Sequence, residues 1–421
     1  MGKNTKNLGI LIFLIILITG AFLAVRFVRK SDKTPAAEEP GVIGSIKQQI
    51  ANVHPSGEVG VLTGGGFSSE FSMALDSNDN VYIVATNSIP ELAGVYYKKL
   101  DNNGNPLVDN VRVTTDKAYD ISMVIDPNTN IHIAWQGLSN EVMGIYYKKL
   151  DNNGNSLGSE IKVATTTSII QPPSIAVNSH DNVYIAWVDN SSEEACYKKL
   201  DNNGNDLSGE IRIGKAGGRS SERPLIAIDS NNNIHLVWGN DDVIYYKKQD
   251  QNGDSLTDDI KISEGFSAVS PSIALDSSDN VHIAWQDNRR PKKWDIYYKK
   301  LGKDGVDLTG EIKLVEAKIY CGDPSIAIDS NDNVCLAWRD DRNEEEFKSG
   351  ATNYEIYYKK LDNNGKALND DIRVTNAKYG SIFPLIAIDS ENNVHLVWDD
   401  ERYKNTKDSE KCGIYYKKLR P

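Results

Sequence analysis

The sequence has little cysteine, no excess of positive charge and, within its repeated part, no helical periodicity. Four cysteines in 421 residues exclude a fold held by a disulfide framework, and their spacing does not match a metal site. A formal net charge of −12 argues against the basic face that nucleic-acid binding requires. We therefore expect no metal, no other cofactor and no nucleic-acid partner. The hydrophobic fraction of 39% is ordinary for a globular protein with a sizeable core.

The N-terminal region contains one long apolar run. Residues 1–7 form a short polar tail, and residues 8–25 carry no charge and no proline. A helix of this length spans about 27 Å, which is enough to cross the hydrocarbon core of a bilayer. The run fits either a cleaved signal peptide or an uncleaved signal anchor, and its length favours the anchor. Lysine and arginine occur on both sides of the run, so the positive-inside rule does not set its orientation.

Residues 26–57 are predicted to be a linker, and residues 58–421 contain one pattern repeated seven times. Each copy has four short segments rich in β-branched and aromatic residues, separated by turns of the types DSNDN and DNNGN. The second segment ends in tryptophan in six copies, and Ala85 takes this place in the first copy. Seven four-stranded units predict an all-β, seven-bladed β-propeller, in which each blade buries both faces against its neighbours.

The two ends of the repeated part predict how the ring closes. Six copies finish with a fourth strand, whereas the seventh stops at the sequence IYYKKLRP. Residues 58–63 match a fourth strand, residues 160–165, and precede the first blade. We therefore expect the N-terminal strand to complete the last blade, which would leave no unpaired edge.

The hairpin IAxDSxxNVxIAW, followed by an aromatic third strand and KLDxxGN, resembles the repeats of NHL-type and SBBP-type propellers. It is also similar to non-catalytic sialidase-like propellers of the BNR type. The resemblance covers residues 58–421 and implies an extracytoplasmic binding or scaffolding role, with enzymes in the minority. The sequence departs from true sialidases, because it lacks their Asp-box pattern and because those enzymes have six blades. A shared fold does not transfer a function.

Loops of the repeat alternate between two rims. The first-to-second and third-to-fourth connections are near copies in every blade and define the uniform rim, where we interpret DSNDN and DNNGN as plain turns and not as calcium sites. The opposite, variable rim carries the second-to-third and fourth-to-first connections. Its second-to-third loops lengthen from five residues in blade four to ten, seventeen and fifteen in blades five to seven. Binding residues concentrate in such loops, so we predict the binding face there.

Three of these loops begin with the motif Trp-x-Asp-x-Arg. Its arginines could grip a carboxylate or a sugar together, helped by two nearby aromatic residues that could stack on a ligand. The alternative, which the repetition favours, is a local Asp–Arg pair that closes each loop. The predicted ligand-binding residues are Arg289, Trp294, Arg342, Arg402, Tyr403, Asp340 and Asp400.

Other repeated residues are interpreted as structural. Four histidines share one strand position, and we expect them to be packed between blades because equivalent positions diverge around a ring. The repeated Lys-Lys pairs are predicted to form a solvated outer edge. Cys321 and Cys412 both fall in the variable rim, and a disulfide between them is a further hypothesis.

The pattern as a whole favours a single-pass membrane protein with an extracytoplasmic propeller that binds a protein, peptide or glycan on its variable rim. The alternatives are a glycan-active enzyme, sialidase-like or lyase-like, and a structural scaffold of the cell envelope. A catalytic site should break the repeat, and we expect only the long loops of blades six and seven to do so. The sequence therefore leans away from an enzyme, and no catalytic residue is predicted.

Overall fold

The computed structural model describes residues 57–64, 66–139, 141–166, 172–189, 191–216, 223–265, 267–343, 353–377, 380–402 and 411–420. The strands in these residues form seven antiparallel sheets of four strands each. The predicted membrane helix at residues 8–25 and most of the linker lie outside the described part of the chain. Within the described part, no helix has the length and apolar character needed to cross a membrane.

Each sheet is one blade, and its strands follow one another in the sequence. Blades one and two contain β2 (Phe67–Leu75), β3 (Val81–Asn87), β4 (Gly94–Leu100), β5 (Pro106–Arg112), β6 (Lys117–Ile125), β7 (Ile131–Ser139), β8 (Val142–Leu150) and β9 (Ile161–Thr165). Blades three and four contain β10 (Ser174–Val177), β11 (Val183–Asp189), β12 (Glu194–Leu200), β13 (Asp206–Lys215), β14 (Leu225–Ile228), β15 (Ile234–Asn240), β16 (Val243–Gln249) and β17 (Ile260–Lys261).

Blades five to seven follow the same order. Blades five and six contain β18 (Ala268–Leu275), β19 (Val281–Arg290), β20 (Lys293–Leu301), β21 (Ile312–Val315), β22 (Cys321–Ile328), β23 (Val334–Asp340), β24 (Glu355–Leu361) and β25 (Ile372–Arg373). Blade seven contains β26 (Ser381–Ile388), β27 (Val394–Asp400), β28 (Gly413–Leu419) and, as its fourth strand, β1 (Val59–Thr63). The first strands of successive blades contact one another in a closed circle, so they line the central axis.

The predicted closure of the ring is confirmed. β1 pairs antiparallel with β28, with Val59 opposite Tyr416 and Thr63 opposite Gly413. The buried side chains of the last blade and of the first blade form one apolar cluster, which includes Leu62 from β1. The seven-bladed architecture therefore holds its two chain ends together through both backbone pairing and core packing.

Packing between blades explains the repeated aromatic residues. All six tryptophans of the motif are fully buried, and five of them stack on the third-strand tyrosine of the same blade, as Trp285 does on Tyr297 at 6.1 Å between ring centres. One apolar cluster fills each junction between neighbouring blades. Replacing one such buried tryptophan by alanine costs about 3–5 kcal/mol in a typical core.

The four histidines are structural, as expected. His282 is fully buried, its Nδ1 lies 2.8 Å from the Tyr298 hydroxyl, and its Nε2 lies 3.3 Å from the turn carboxylate of Asp276. Burial lowers the pKa of His282 to about 4, so the ring is neutral at pH 7. Asp276 also closes its own turn, because its Oδ1 accepts the backbone N–H groups of Ser278 and Asn280. The turns therefore have the structural role predicted for them.

The prediction for the lysine pairs is wrong. The second lysine of the pair reaches the turn aspartate of its blade in all but the third blade, as Lys248 does with Asp229 at 2.8 Å and Lys300 with Asp276 at 3.0 Å. Lys248 and Lys300 are both largely buried. The long aliphatic stems pass along the blade, and the ammonium groups neutralise carboxylates that would otherwise be buried without a counter-charge.

The arginine of the Trp-x-Asp-x-Arg motif forms an ion pair with an acid beside the fourth strand of its blade. Arg289 lies 2.6 Å from Glu311 beside β21, and Arg342 lies 2.7 Å from Asp371 beside β25. In the last blade the acid comes from the other end of the chain, since Arg402 lies 2.7 Å from Glu58 beside β1. The same type of ion pair thus holds the fourth strand in blades five and six. In blade seven it also joins the two ends of the propeller and so closes the ring.

We expect Glu58→Gln to loosen the ring at its closure. The change removes the charge from a buried partner of Arg402, and breaking a buried ion pair on one side costs up to about 3–5 kcal/mol. Hydrogen exchange of the full-length protein should accelerate in β1 and β28 specifically. The matched control is Glu311→Gln, which should accelerate exchange in blade five instead. Equal exchange patterns in the two variants would contradict this role for Glu58.

Candidate functional site

A cavity of about 640 Å³ lies on the central axis, where the first strands converge. One position of the repeat contributes a side chain from every blade to its wall. This channel position falls six residues before the Asp or Asn that opens the first turn. The residues at the channel position are Glu70, Asp120, Pro172, Arg223, Ser270, Asp323 and Phe383. The residues that follow this position in the first strands are near copies, yet here the blades carry acids, a base, an aromatic ring and small residues.

The backbone is strained at this position in three successive blades. Ser270, Asp323 and Phe383 have φ angles of 52°, 50° and 54°, a region that side-chain-bearing residues rarely adopt. Each lies within a register shift between the first and second strands of its blade. Such bulges turn a side chain away from its regular direction and are frequent beside functional sites. The bulges lie where these three side chains face the channel.

An arginine held among three aromatic rings forms one wall of the channel. The Cζ atom of Arg339 lies 4.9 Å from the ring centres of Tyr320, Tyr354 and Phe383. Its Nε lies 2.6 Å from Asp323 Oδ2, and its Nη2 donates to the Tyr320 hydroxyl at 2.9 Å. Charge, stacking and hydrogen bonding therefore fix this guanidinium, and the wall offers flat apolar surfaces beside polar groups.

The opposite part of the channel is acidic. Burial, together with the negative charge of Glu70 in the neighbouring blade, raises the pKa of Asp120 to about 6. Glu70 accepts a hydrogen bond from Thr86 at 3.0 Å. Asp120 is therefore a carboxyl group that can change its protonation state close to neutral pH, in a cavity large enough for a small ligand.

The arginines predicted on the variable rim are already engaged. Each lies within 2.7 Å of the aspartate of its own motif and within 2.7 Å of the fourth-strand acid of its blade. Their guanidinium groups also lie over third-strand tyrosines, at 3.9 Å for Arg289 and Tyr297. Asp340 and Asp400 accept, in addition, the indole N–H of the motif tryptophan. A shared ligand contact by these residues stays a prediction, which the ion pairs disfavour.

The two predicted aromatic contacts differ in their position. Tyr403 lies outside the described residues. The ring of Trp294 lies 6.1 Å from that of Tyr320, and its backbone N–H donates to Ile319 at 3.1 Å. Because Tyr320 lines the channel, Trp294 connects the variable rim to the channel wall.

The predicted disulfide between Cys321 and Cys412 is not formed in the structure. Cys321 is the first residue of β22 and not part of a loop, and it is fully buried. Its Sγ lies 3.1 Å from Asp340 Oδ2, to which it donates. The thiol therefore serves the local network of blade six. No cluster of metal-binding side chains occurs among the described residues.

No protein-family model and no curated protein sequence matches this chain. Solved structures do match its fold. An ulvan lyase bound to the glycan -[GlcA(1-4)Rha3S]- has a TM-score of 0.56 at 10% identity, over 85% of this chain and 95% of that one. Hydrazine synthase from Kuenenia stuttgartiensis has a TM-score of 0.54 at 11% identity, over 84% and 96% of the two chains.

The NanB sialidase from Streptococcus pneumoniae matches more distantly, with a TM-score of 0.46 at 10% identity over 85% of this chain and 70% of that one. The resemblance to propeller proteins is confirmed for the fold, because the chain forms seven blades of four strands. A polysaccharide lyase is among the structural neighbours, together with a protein of unrelated chemistry. At this identity the likeness concerns architecture and not activity.

The expectation that only the long loops of blades six and seven break the repeat was wrong. The channel position breaks it in every blade, from Glu70 in the first to Phe383 in the last. The signal was available, because aligning the seven copies on the first-turn aspartate places these residues in one column. The bulges hid their direction, since regular strand alternation does not indicate which way a bulged residue points.

The raised pKa of Asp120 predicts a stability gain in Asp120→Asn. A carboxyl group whose pKa is about 6 when folded and near 3.8 when unfolded costs stability as the pH rises between these values. The variant should therefore be more stable than the wild type above pH 6, by at most about 3 kcal/mol, and unchanged below pH 4. Urea unfolding of the full-length protein at pH 4 and pH 8 measures this difference.

The matched control is Asp254→Asn, since Asp254 is exposed and asparagine occupies the equivalent turn position in the first three blades. This control should have the same stability as the wild type at both pH values. An equal gain for Asp120→Asn at pH 4 and pH 8 would contradict the raised pKa.

Proposed function

We propose that the propeller binds a saccharide in its central channel. The observation that carries this proposal is the channel position, where seven blades of one repeat contribute six different types of side chain to one cavity. Structural roles in this protein repeat from blade to blade, as those of the tryptophans and turn aspartates do. Residues that differ at the single place where all blades meet therefore indicate recognition of a ligand that is not symmetric.

The composition of the channel suits a sugar. Aromatic rings such as Phe383 and Tyr320 offer flat faces for the C–H surface of a pyranose, and carboxyl, amide and guanidinium groups bind hydroxyls. A protein or peptide segment is less well suited, because a cavity of about 640 Å³ admits only a small part of a chain. The fold shared with an ulvan lyase bound to a glycan adds support at the level of architecture.

A second candidate is a glycan-active enzyme. It is favoured by Asp120, whose pKa of about 6 suits a general acid or base, and by the neighbouring carboxylate of Glu70. Two carboxyl groups are the usual apparatus for cleaving glycosidic bonds. Binding and catalysis would use the same channel, so one set of variants separates them.

Obstructing the channel should abolish binding. Ser270→Phe places an aromatic ring at the channel position of blade five, and we expect the fold to accept it because Phe383 has a nearly equal φ in blade seven. We expect an oligosaccharide identified on a glycan array to lose at least about tenfold in affinity, or about 1.4 kcal/mol, in calorimetry with the full-length protein. Ser270→Ala is the control and should bind normally.

Normal binding by Ser270→Phe would show that the ligand lies elsewhere, for example on the variable rim. Product analysis by mass spectrometry tests the second candidate with the same oligosaccharide. Shortened or unsaturated products from the wild type, and intact substrate that still binds to Asp120→Asn, would establish an enzyme. Binding without any product would support the binding module.

We also propose that residues 8–25 anchor the protein once in the cell membrane, with the propeller outside the cytoplasm. The length of the apolar run and the resemblance to extracytoplasmic propellers support this topology. Protease added to intact spheroplasts should digest residues 58–421. Digestion only after the membrane has been lysed would place the propeller in the cytoplasm.

A further inference from the structure

Five charged side chains line the channel, and they are not equally satisfied. Asp323 and Arg339 form an ion pair, and Glu70 accepts a hydrogen bond from Thr86. Arg223 makes no hydrogen bond or ion pair with any residue that the structure describes. Among the described residues, the carboxyl group of Asp120 accepts a hydrogen bond only from its own backbone N–H. One cation and one acid thus face the cavity without an ion pair to any described residue.

The arginines of the variable rim differ from Arg223 in their ion pairs. Arg289, Arg342 and Arg402 each lie against two carboxylates. Arg223 has neighbours at the channel position that carry no charge, namely Pro172 on one side and Ser270 on the other. The carboxylates of Asp120 and Asp323 act on it across the cavity, but neither is close enough for an ion pair.

An arginine in this setting is costly to the folded protein. Burial lowers its pKa, since the surrounding protein replaces water that would solvate the charge. A guanidinium group nevertheless keeps its proton in proteins, so the cost is not relieved by neutralisation. A ligand that brings an anionic oxygen into the cavity would relieve it, and the planar fork of N–H groups matches a carboxylate or a sulfate ester.

We infer that the channel selects an acidic saccharide, with Arg223 binding its carboxylate or sulfate group and Asp120 binding an adjacent hydroxyl. This inference rests on the proposed function and names the substrate class. The two unpartnered groups require opposite things of a ligand, an acceptor for Arg223 and a donor for Asp120. A uronic acid or a sulfated sugar offers both on one ring. A basic sugar would satisfy Asp120 and leave Arg223 without a counter-charge.

The test compares matched oligosaccharides on the full-length protein by calorimetry. The probes are a glucuronate-containing tetrasaccharide, the same compound with its carboxyl groups reduced to alcohols, a sulfated neutral tetrasaccharide and a glucosamine tetrasaccharide. The wild type should bind the glucuronate or the sulfated probe at least about tenfold more tightly than the reduced one. Which of the two binds more tightly identifies the acidic group.

Arg223→Gln should abolish this preference, so that the acidic probe binds no more tightly than the reduced one. Arg223→Lys keeps the charge without the planar fork and should retain part of the preference. Arg420→Gln is the matched control, because it removes the same charge at an exposed position near the C-terminus, and it should behave as the wild type does. If a variant fails to fold, the comparison of acidic and reduced probes on the wild type still tests the inference.

Equal affinity of the wild type for the acidic and reduced probes would overturn the inference, as would tighter binding of the glucosamine probe. The proposed function would survive either result if Ser270→Phe blocked the binding of all probes. Absence of binding for every saccharide would instead remove the proposed function, and with it this inference.

Discussion

Closure of the ring is the constraint on which the rest of the molecule depends. A single blade cannot bury both of its faces, and each of the seven is completed only by contact with two neighbours. The junction between the last and the first blade must therefore match the other six. Pairing of β1 with β28 and the contact of Arg402 with Glu58 achieve this, using the same groups that operate inside single blades.

Ring geometry also decides which residues can act together. Equivalent side chains on the outer strands or in the rim loops point away from one another, so a repeated motif there remains seven separate motifs. Equivalent side chains next to the axis meet in one cavity. The buried histidines and the rim arginines illustrate the first case, since each is engaged within its own blade, and the channel position illustrates the second. Function in such a fold is therefore sought where the repeat varies and the axis is near.

Strain and unpartnered charge coincide in the same place. Positive φ angles at Asp323 and Phe383, the raised pKa of Asp120 and the Arg223 side chain, which no described residue pairs with, all belong to the channel wall. Elsewhere in the described chain, buried carboxylates lie beside groups of opposite charge, as the turn aspartates do beside buried lysines. Features that reduce stability and occur together in one cavity are what a binding or catalytic site imposes on a fold.

Much of the fold could be predicted from the sequence, because strand composition, turn residues and the missing last strand are local signals. The burial of the histidines followed from the same argument about divergence around a ring. The lysines were wrongly predicted to be solvated, because two adjacent charges usually lie on the surface. The aspartate that pairs with one of them lies in the turn that precedes the neighbouring strand. The channel residues were missed for a related reason. Asp120 and Arg223 belong to different blades, and only ring closure and the direction of each first strand bring them to one cavity.

The central claim is that the ligand lies on the axis of the ring, at the position where the blades differ. A crystal structure of the full-length protein with a bound oligosaccharide tests it most directly. The account predicts a sugar ring inside the channel, with an acidic group against Arg223, a hydroxyl against Asp120 and a ring face near Phe383. An oligosaccharide bound instead along the variable rim near Trp294, outside the channel, would contradict it.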